Sequence, residues 1–132
     1  MRIDGGCHCG HITYEAEINP DDVIICHCTD CQSISGAPYR TVVFTSSETF
    51  NLLSGELTVY IKTAQSGNKR TQNFCPKCGS HIYASNVGDG PMPYGVRVGT
   101  VHQRDQLVQK SQYFCGSAQN WVTDLSGIEK HD

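Results

Sequence analysis

No run of about 18 apolar residues occurs anywhere in the chain, so no segment has the length and hydropathy of a membrane-spanning helix. The opening ten residues, MRIDGGCHCG, hold neither an apolar targeting core nor a small-residue cleavage pattern, which sets the expectation of a cytoplasmic protein. A basic excess is missing as well. Ten Lys and Arg stand against thirteen Asp and Glu, for a formal net charge of −3, so neither a nucleic-acid nor a membrane surface is implied. The one basic pair, Lys69 and Arg70, reads as part of a solvated loop. Internal repeats, low-complexity tracts and flexible linkers are absent, and residues 1–132 read as one domain. A long apolar stripe at helical spacing is also lacking, which points away from a helical fold.

What is present alternates with a period of two. In HITYEAEI (11–18), Ile12, Tyr14, Ala16 and Ile18 share one face and the polar residues the other, the pattern of a half-buried strand. YRTVVFT (39–45), LTVYIK (57–62), HIYAS (81–85), GVRVGTV (95–101) and QYFC (112–115) are short, rich in β-branched and aromatic residues, and bounded by turn formers. The fold class is mainly β and antiparallel. One short helix is expected in CTDCQSISG, where Thr29 and Gln32 have the spacing of a capping box and Gly36 is a stop. That start would put Cys31 at the second helical position, under the positive end of the helix dipole, with a stabilised thiolate. The Gly- and Pro-rich loop 86–95 is the expected rim of any site.

Eight cysteines are more than a core of this size needs, and in a reducing compartment they point to metal or redox chemistry rather than disulfides. Seven fall into three groups: Cys7 and Cys9 in GGCHCG; Cys26, Cys28 and Cys31 in CHCTDC; Cys75 and Cys78 in FCPKCGSH. Residues two apart on an extended chain face the same way, and Cys-x-x-Cys followed by Gly is a turn suited to a pair of zinc thiolates. Two pairs complete one tetrahedral site, so the simplest arithmetic joins Cys7, Cys9, Cys75 and Cys78 as a closed structural zinc and leaves the trio to itself. Sixteen residues separate Cys9 from Cys26 and 43 separate Cys31 from Cys75, so spacing alone leaves other pairings open. Three sulfurs define one face of a tetrahedron, and an open fourth position is what distinguishes catalytic from structural zinc. His8 and His27, each between two cysteines, should point away from the metal. Cys115, at the end of the apolar QYFC, reads as a small buried core residue.

The order GGCHCG, CHCTDCQSISGAP, FCPKCGSHIY, VRVGT and a late Trp121 resembles the glutathione-dependent formaldehyde-activating enzyme family, which also contains centromere protein V; the likeness covers about residues 5–121. The resemblance implies a β-tent of several small antiparallel sheets with one short helix, stapled by two zinc ions per chain. It implies a structural zinc on Cys7, Cys9, Cys75 and Cys78, and a second zinc on Cys26, Cys28 and Cys31 with its outer position available. It further implies a carbon–sulfur lyase-type activity, the reversible addition of glutathione to formaldehyde giving S-hydroxymethylglutathione. Where relatives carry an acidic LDDP-like run after VRVGT, this chain has VHQRDQL, and CGSAQN replaces a basic stretch before Trp121. Both differences are expected near the rim of the site.

A substrate thiol taking the fourth position of the second zinc would be deprotonated at neutral pH and could attack formaldehyde held beside it. Arg40, Lys69, Arg70 and Arg97 are the candidates to pair with the carboxylates of glutathione, and Trp121 is a candidate wall. Two other classes fit the same residues. A structural two-zinc module that binds a protein partner would close the second site with Cys115 or a histidine. A redox-sensitive zinc or thiol-binding protein would lose that zinc and oxidise the trio.

Overall fold

The computed structural model describes residues 1–132. Its strands are β1 (Arg2–Gly6), β2 (Thr13–Glu17), β3 (Val23–Cys26), β4 (Arg40–Ser46), β5 (Asn51–Ser54), β6 (Thr58–Thr63), β7 (Lys69–Phe74), β8 (His81–Asn86), β9 (Pro93–Arg97) and β10 (Ser111–Tyr113), with one α-helix, α1 (Thr29–Ser35). The mainly β class with one short helix holds. Strands β1, β2 and β5 form one sheet, in the order β1-β2-β5; the other seven form a second in the order β10-β3-β4-β9-β8-β7-β6. All pairings are antiparallel except β10 on β3. No helix is long and apolar enough to cross a membrane.

The alternation in residues 12–18 works as expected: Ile12, Tyr14, Ala16 and Ile18 are all buried. They meet Ile3 of β1 and, from the large sheet, Val23, Val43, Ile82 and Val96 in the main core. Val98, Val101 and Leu107 belong to the same core. The run 95–101 is therefore not one strand. β9 stops at Arg97, a 3-10 turn covers Val98–Thr100, and Val101 forms an isolated bridge with Gly5 of β1. This bend brings the chain from the large sheet onto the small one, and VHQRDQL docks there: Gln103 Nε2 and His102 Nδ1 both bond Asp4 Oδ1, at 3.0 and 2.9 Å.

Four strands carry no clear apolar alternation and were outside the expected set: β1, β3, β5 and β7. Lys69 and Arg70 open β7 instead of lying in a loop; β7 is paired on both sides, by β6 and β8, which supplies the ladder that its polar sequence KRTQNF does not advertise.

The large sheet has two working faces. Val23, Val43 and Val96 look into the core. Residues of opposite parity form the other face, and the register lines them up: Cys26 stands opposite Arg40, Ile24 opposite Val42, Val42 opposite Arg97, Phe44 opposite Gly95, Gly95 opposite Ala84, and Ala84 opposite Gln72. Because Gly95 and Ala84 are small, the middle of this face is hollow.

Candidate metal and substrate site

The hollow is a cavity of about 600 Å³. Arg40, Val42, Phe44, Arg70, Gln72 and Arg97 form its floor, Cys26, Cys28 and Cys31 one wall, and Lys62, Thr63, Ala64 and Gln65 of the β6–β7 hairpin the facing rim. Lys62 Nζ reaches Asp30 Oδ2 of α1 at 3.0 Å, an ion pair between hairpin and helix at the mouth. The 86–95 loop is not the rim. Met92 and Pro93 line a separate hollow of about 550 Å³ beside Glu17 and Phe44 that contains no thiol.

The trio comes together through local geometry. Cys26 ends β3, and Cys28, still extended at φ −60° and ψ 152°, is the helix N-cap. Cys28 Sγ accepts the backbone N–H of Cys31 at 3.3 Å. A sulfur thus does the work expected of the Thr29 hydroxyl, and Cys31 is third in the helix rather than second. Gln32, the other half of the expected box, donates through Nε2 to the carbonyls of His27 (2.8 Å) and Ser117 (2.9 Å), tying the thiol turn to the segment after β10. Gly36 ends the helix with φ 65°, as anticipated. The three sulfurs lie within 4.8 Å of one another. A hydrogen bond between Cys26 and Cys31 holds Cys26 below its ordinary range and, with burial, pushes Cys31 up. The direction at Cys31 runs against the expected stabilisation of its thiolate, the Cys26 sulfur and burial being the causes.

Neither histidine nor Cys115 joins the trio. His27 is buried, its Nε2 2.8 Å from Gln112 Oε1 and its ring edge-on to Tyr39. His8 is exposed, outside both sulfur groups. Cys115 is exposed and opens a 3-10 turn after Phe114, so its expected burial is wrong. Strand β10 ends two residues earlier, at Tyr113, because Phe114 takes a left-handed φ of 56° that turns the chain off the sheet edge. Trp121, 56% exposed, neither walls the cavity nor enters the core; Phe114, 66% exposed, is the aromatic at the wall. Of the two divergent segments only CGSAQN reaches the rim, through Ser117.

Away from the cavity, the β1–β2 turn and the β7–β8 turn bring Cys7, Cys9, Cys75 and Cys78 to within 4.8 Å of one another. Gly79, φ 79°, closes the second turn, and its N–H bonds Cys75 O at 2.9 Å. Backbone N–H groups of Ile12 and Lys77 donate to the sulfurs of Cys7 and Cys75, at 3.2 and 3.4 Å. Ser80 hydrogen bonds pull the Cys78 thiol down to about 5. Sulfur separations of 3.6 Å (Cys7–Cys9) and 3.7 Å (Cys9–Cys75) match the edge of about 3.8 Å of a tetrahedron whose metal–sulfur bonds are about 2.3 Å. A soft, four-coordinate ion such as zinc fits these donors.

The sequence profile of the glutathione-dependent formaldehyde-activating enzyme family matches residues 2–117. The chain belongs to this family. A crystal structure of a Rhodobacter sphaeroides protein shares the fold, with a TM-score of 0.63 at 22% identity, over 83% of this chain and 98% of that one. No curated protein matches the sequence. Family membership makes a glutathione-related enzyme the coarse expectation for the site, and both sulfur groups carry donors that could hold metal ions.

The floor of the site holds what sequence reading did not find. Gln72 Oε1 accepts from Arg40 Nη1 at 3.0 Å and from Arg97 Nη2 at 3.1 Å. Of the four basic candidates for substrate contact, Arg40 and Arg97 are buried together, Arg70 is half-buried beside them, and Lys69 stays outside. Gln72 gave no signal in the sequence, because a lone amide in a polar strand has no pattern to betray it.

Proposed function

We propose that this chain is a zinc-dependent carbon–sulfur lyase-type enzyme that reversibly adds a thiol, glutathione, to formaldehyde or a related small electrophile. The observation that carries the reading is the three-sulfur cluster on the wall of a cavity of about 600 Å³, with no fourth donor from the chain. A closed structural module would need Cys115 or a histidine beside the trio, and neither joins it. In this reading Cys7, Cys9, Cys75 and Cys78 hold a structural zinc and Cys26, Cys28 and Cys31 a second one, two per chain, in a cytoplasmic protein.

Cys26, Cys28 and Cys31 would hold the zinc, which when bound would lower the pKa of a thiol at its remaining position enough to ionise it at neutral pH. The chain's own residues do the rest. The small side chains of Ala84 and Gly95 leave room above the floor, and Phe114 and the β6–β7 hairpin border it. The cluster and the cavity lie side by side, so a thiol directed to the wall has its electrophile beside it. Attack forms the C–S bond, moves the carbonyl π pair to oxygen, and the oxygen takes a proton from water as the thiol gives one up. Glutathione and formaldehyde also combine unaided, so catalysis requires binding the transition state more tightly than the reactants.

The test is the rate of approach to equilibrium at fixed glutathione and formaldehyde, comparing wild type with Cys28→Ser retaining one zinc per chain. Wild type should exceed both the variant and the uncatalysed rate by at least about 100-fold, the contribution of one well-placed catalytic device. Equal rates would sink the enzyme reading.

A further inference from the structure

The floor of the cavity carries charge that no acidic group of the protein balances. Arg40 is 6% exposed and Arg97 9%, yet neither forms a salt bridge. Their shared acceptor, Gln72 Oε1, is neutral. Arg40 Nη2 and Arg97 Nε have no acceptor at all. Asp30 is the lone carboxylate lining the cavity, and it is engaged by Lys62 at the mouth. Burial first, and then the like charge of Arg40, push Arg97 down to about 9, still protonated at neutral pH.

The trio cannot absorb this charge alone. With a divalent ion bound, three thiolates leave one negative charge against the three guanidiniums of Arg40, Arg70 and Arg97. Buried charge without a partner is costly, and a site that keeps two such groups beside an accessible cavity is organised for an anion that arrives from outside. Arg40 and Arg97 both line the cavity, and a guanidinium is the group that suits a planar carboxylate with two acceptor oxygens.

We propose that Arg40 and Arg97, joined through Gln72 Oε1, form a carboxylate-recognition site on the cavity floor beside the three-sulfur cluster, so that the substrate is anionic. This rests on the reading of the cavity as a thiol-addition site and specifies what that site accepts. Gln72 acts as a positioning residue: its one oxygen holds both guanidiniums in the floor while leaving their charge unneutralised. The carboxylate can belong to the thiol, as in glutathione, or to the electrophile, as in a 2-oxo acid such as glyoxylate.

The discriminating variant is Gln72→Glu, which places a near-isosteric carboxylate against both guanidiniums. It should raise the melting temperature of the zinc-loaded protein and remove its preference for anionic ligands; Arg97→Gln should remove that preference without the stabilisation. Calorimetric titration of zinc-loaded protein without turnover reads two arms: glutathione against its diethyl ester, and, with no thiol present, glyoxylate against formaldehyde. The expected result is at least a tenfold preference for the anion in one arm, which names the source of the carboxylate, falling to near unity in Gln72→Glu and Arg97→Gln. Loss of preference in Arg97→Gln alone suffices if Gln72→Glu does not fold. No preference in either arm, or a preference that survives in folded variants, overturns the proposal. A preference without any rate enhancement would keep this site and sink the lyase reading; rate enhancement without preference would do the reverse.

Discussion

Breaking the four-sulfur group should cost far more stability than breaking the trio, and the difference can be worked from where each closes the chain. Cys9 and Cys75, 66 residues apart, bring the β1–β2 turn against the β7–β8 turn, so a metal there links both sheets. Treated as a cross-link, a loop of that length restricts the unfolded chain by about 4 kcal/mol. The metal–thiolate bonds add to this, since structural zinc sites are worth about 10 kcal/mol or more to small domains. Total stabilities run from about 5 to 15 kcal/mol, so losing this site consumes most or all of it. The trio closes only the short turn from Cys26 to Cys31, for which the same relation gives about 2 kcal/mol, and β3 and α1 already order that turn. Cys9→Ser removes an exposed sulfur and reads the cross-link alone, whereas Cys75→Ser also puts a hydroxyl in a fully buried position. Both should lower the melting temperature by about 15 °C or leave no cooperative transition, at the usual few degrees per kcal/mol for a domain of this size. Cys28→Ser should lose one zinc per chain and melt within about 8 °C of wild type. Circular dichroism melts paired with metal analysis make the comparison. A Cys28→Ser protein that unfolds while Cys9→Ser stays folded would refute the assignment of structural and open sites.

Two further outcomes follow from the fold. A methyl group on Gly5 would overlap Thr100 O and the Tyr14 hydroxyl where Val101 bridges to β1, so Gly5→Ala should destabilise by about 3 kcal/mol, while Gly99→Ala, which meets nothing, should stay within about 0.5 kcal/mol; denaturant midpoints at unchanged m-value check this. Burial pushes the Tyr14 phenol up to about 12 from an ordinary 10. Its stabilisation is therefore fully present below pH 10 and lost as pH rises through 12, when the unfolded chain ionises first; the wild-type stability should fall by about 2–3 kcal/mol more than that of Tyr14→Phe across this window, read by urea melts at stepped pH.

Local pattern determined a large part of this protein by itself. Three short cysteine spacings marked three thiol groups, of which the structure joins the first and third and keeps the trio apart; alternation in residues 12–18 defined a core face; Gly36 and Gly79 stand at the left-handed positions their turns require. Each of these local features depends on residues a few positions apart, so chain stereochemistry carries them; that Cys9 meets Cys75, 66 residues on, was decided by the tertiary fold. Tertiary structure decided what local pattern could not. KRTQNF is a strand because neighbours pair both its edges, and Cys115 is exposed because Phe114 turns the chain outward. The cavity floor is the furthest from local control: Arg40, Arg97 and Gln72 meet because four strands, β4, β9, β8 and β7, pair in one register, and a slip of one residue in any of the three that carry them would turn its side chain to the opposite face of the sheet.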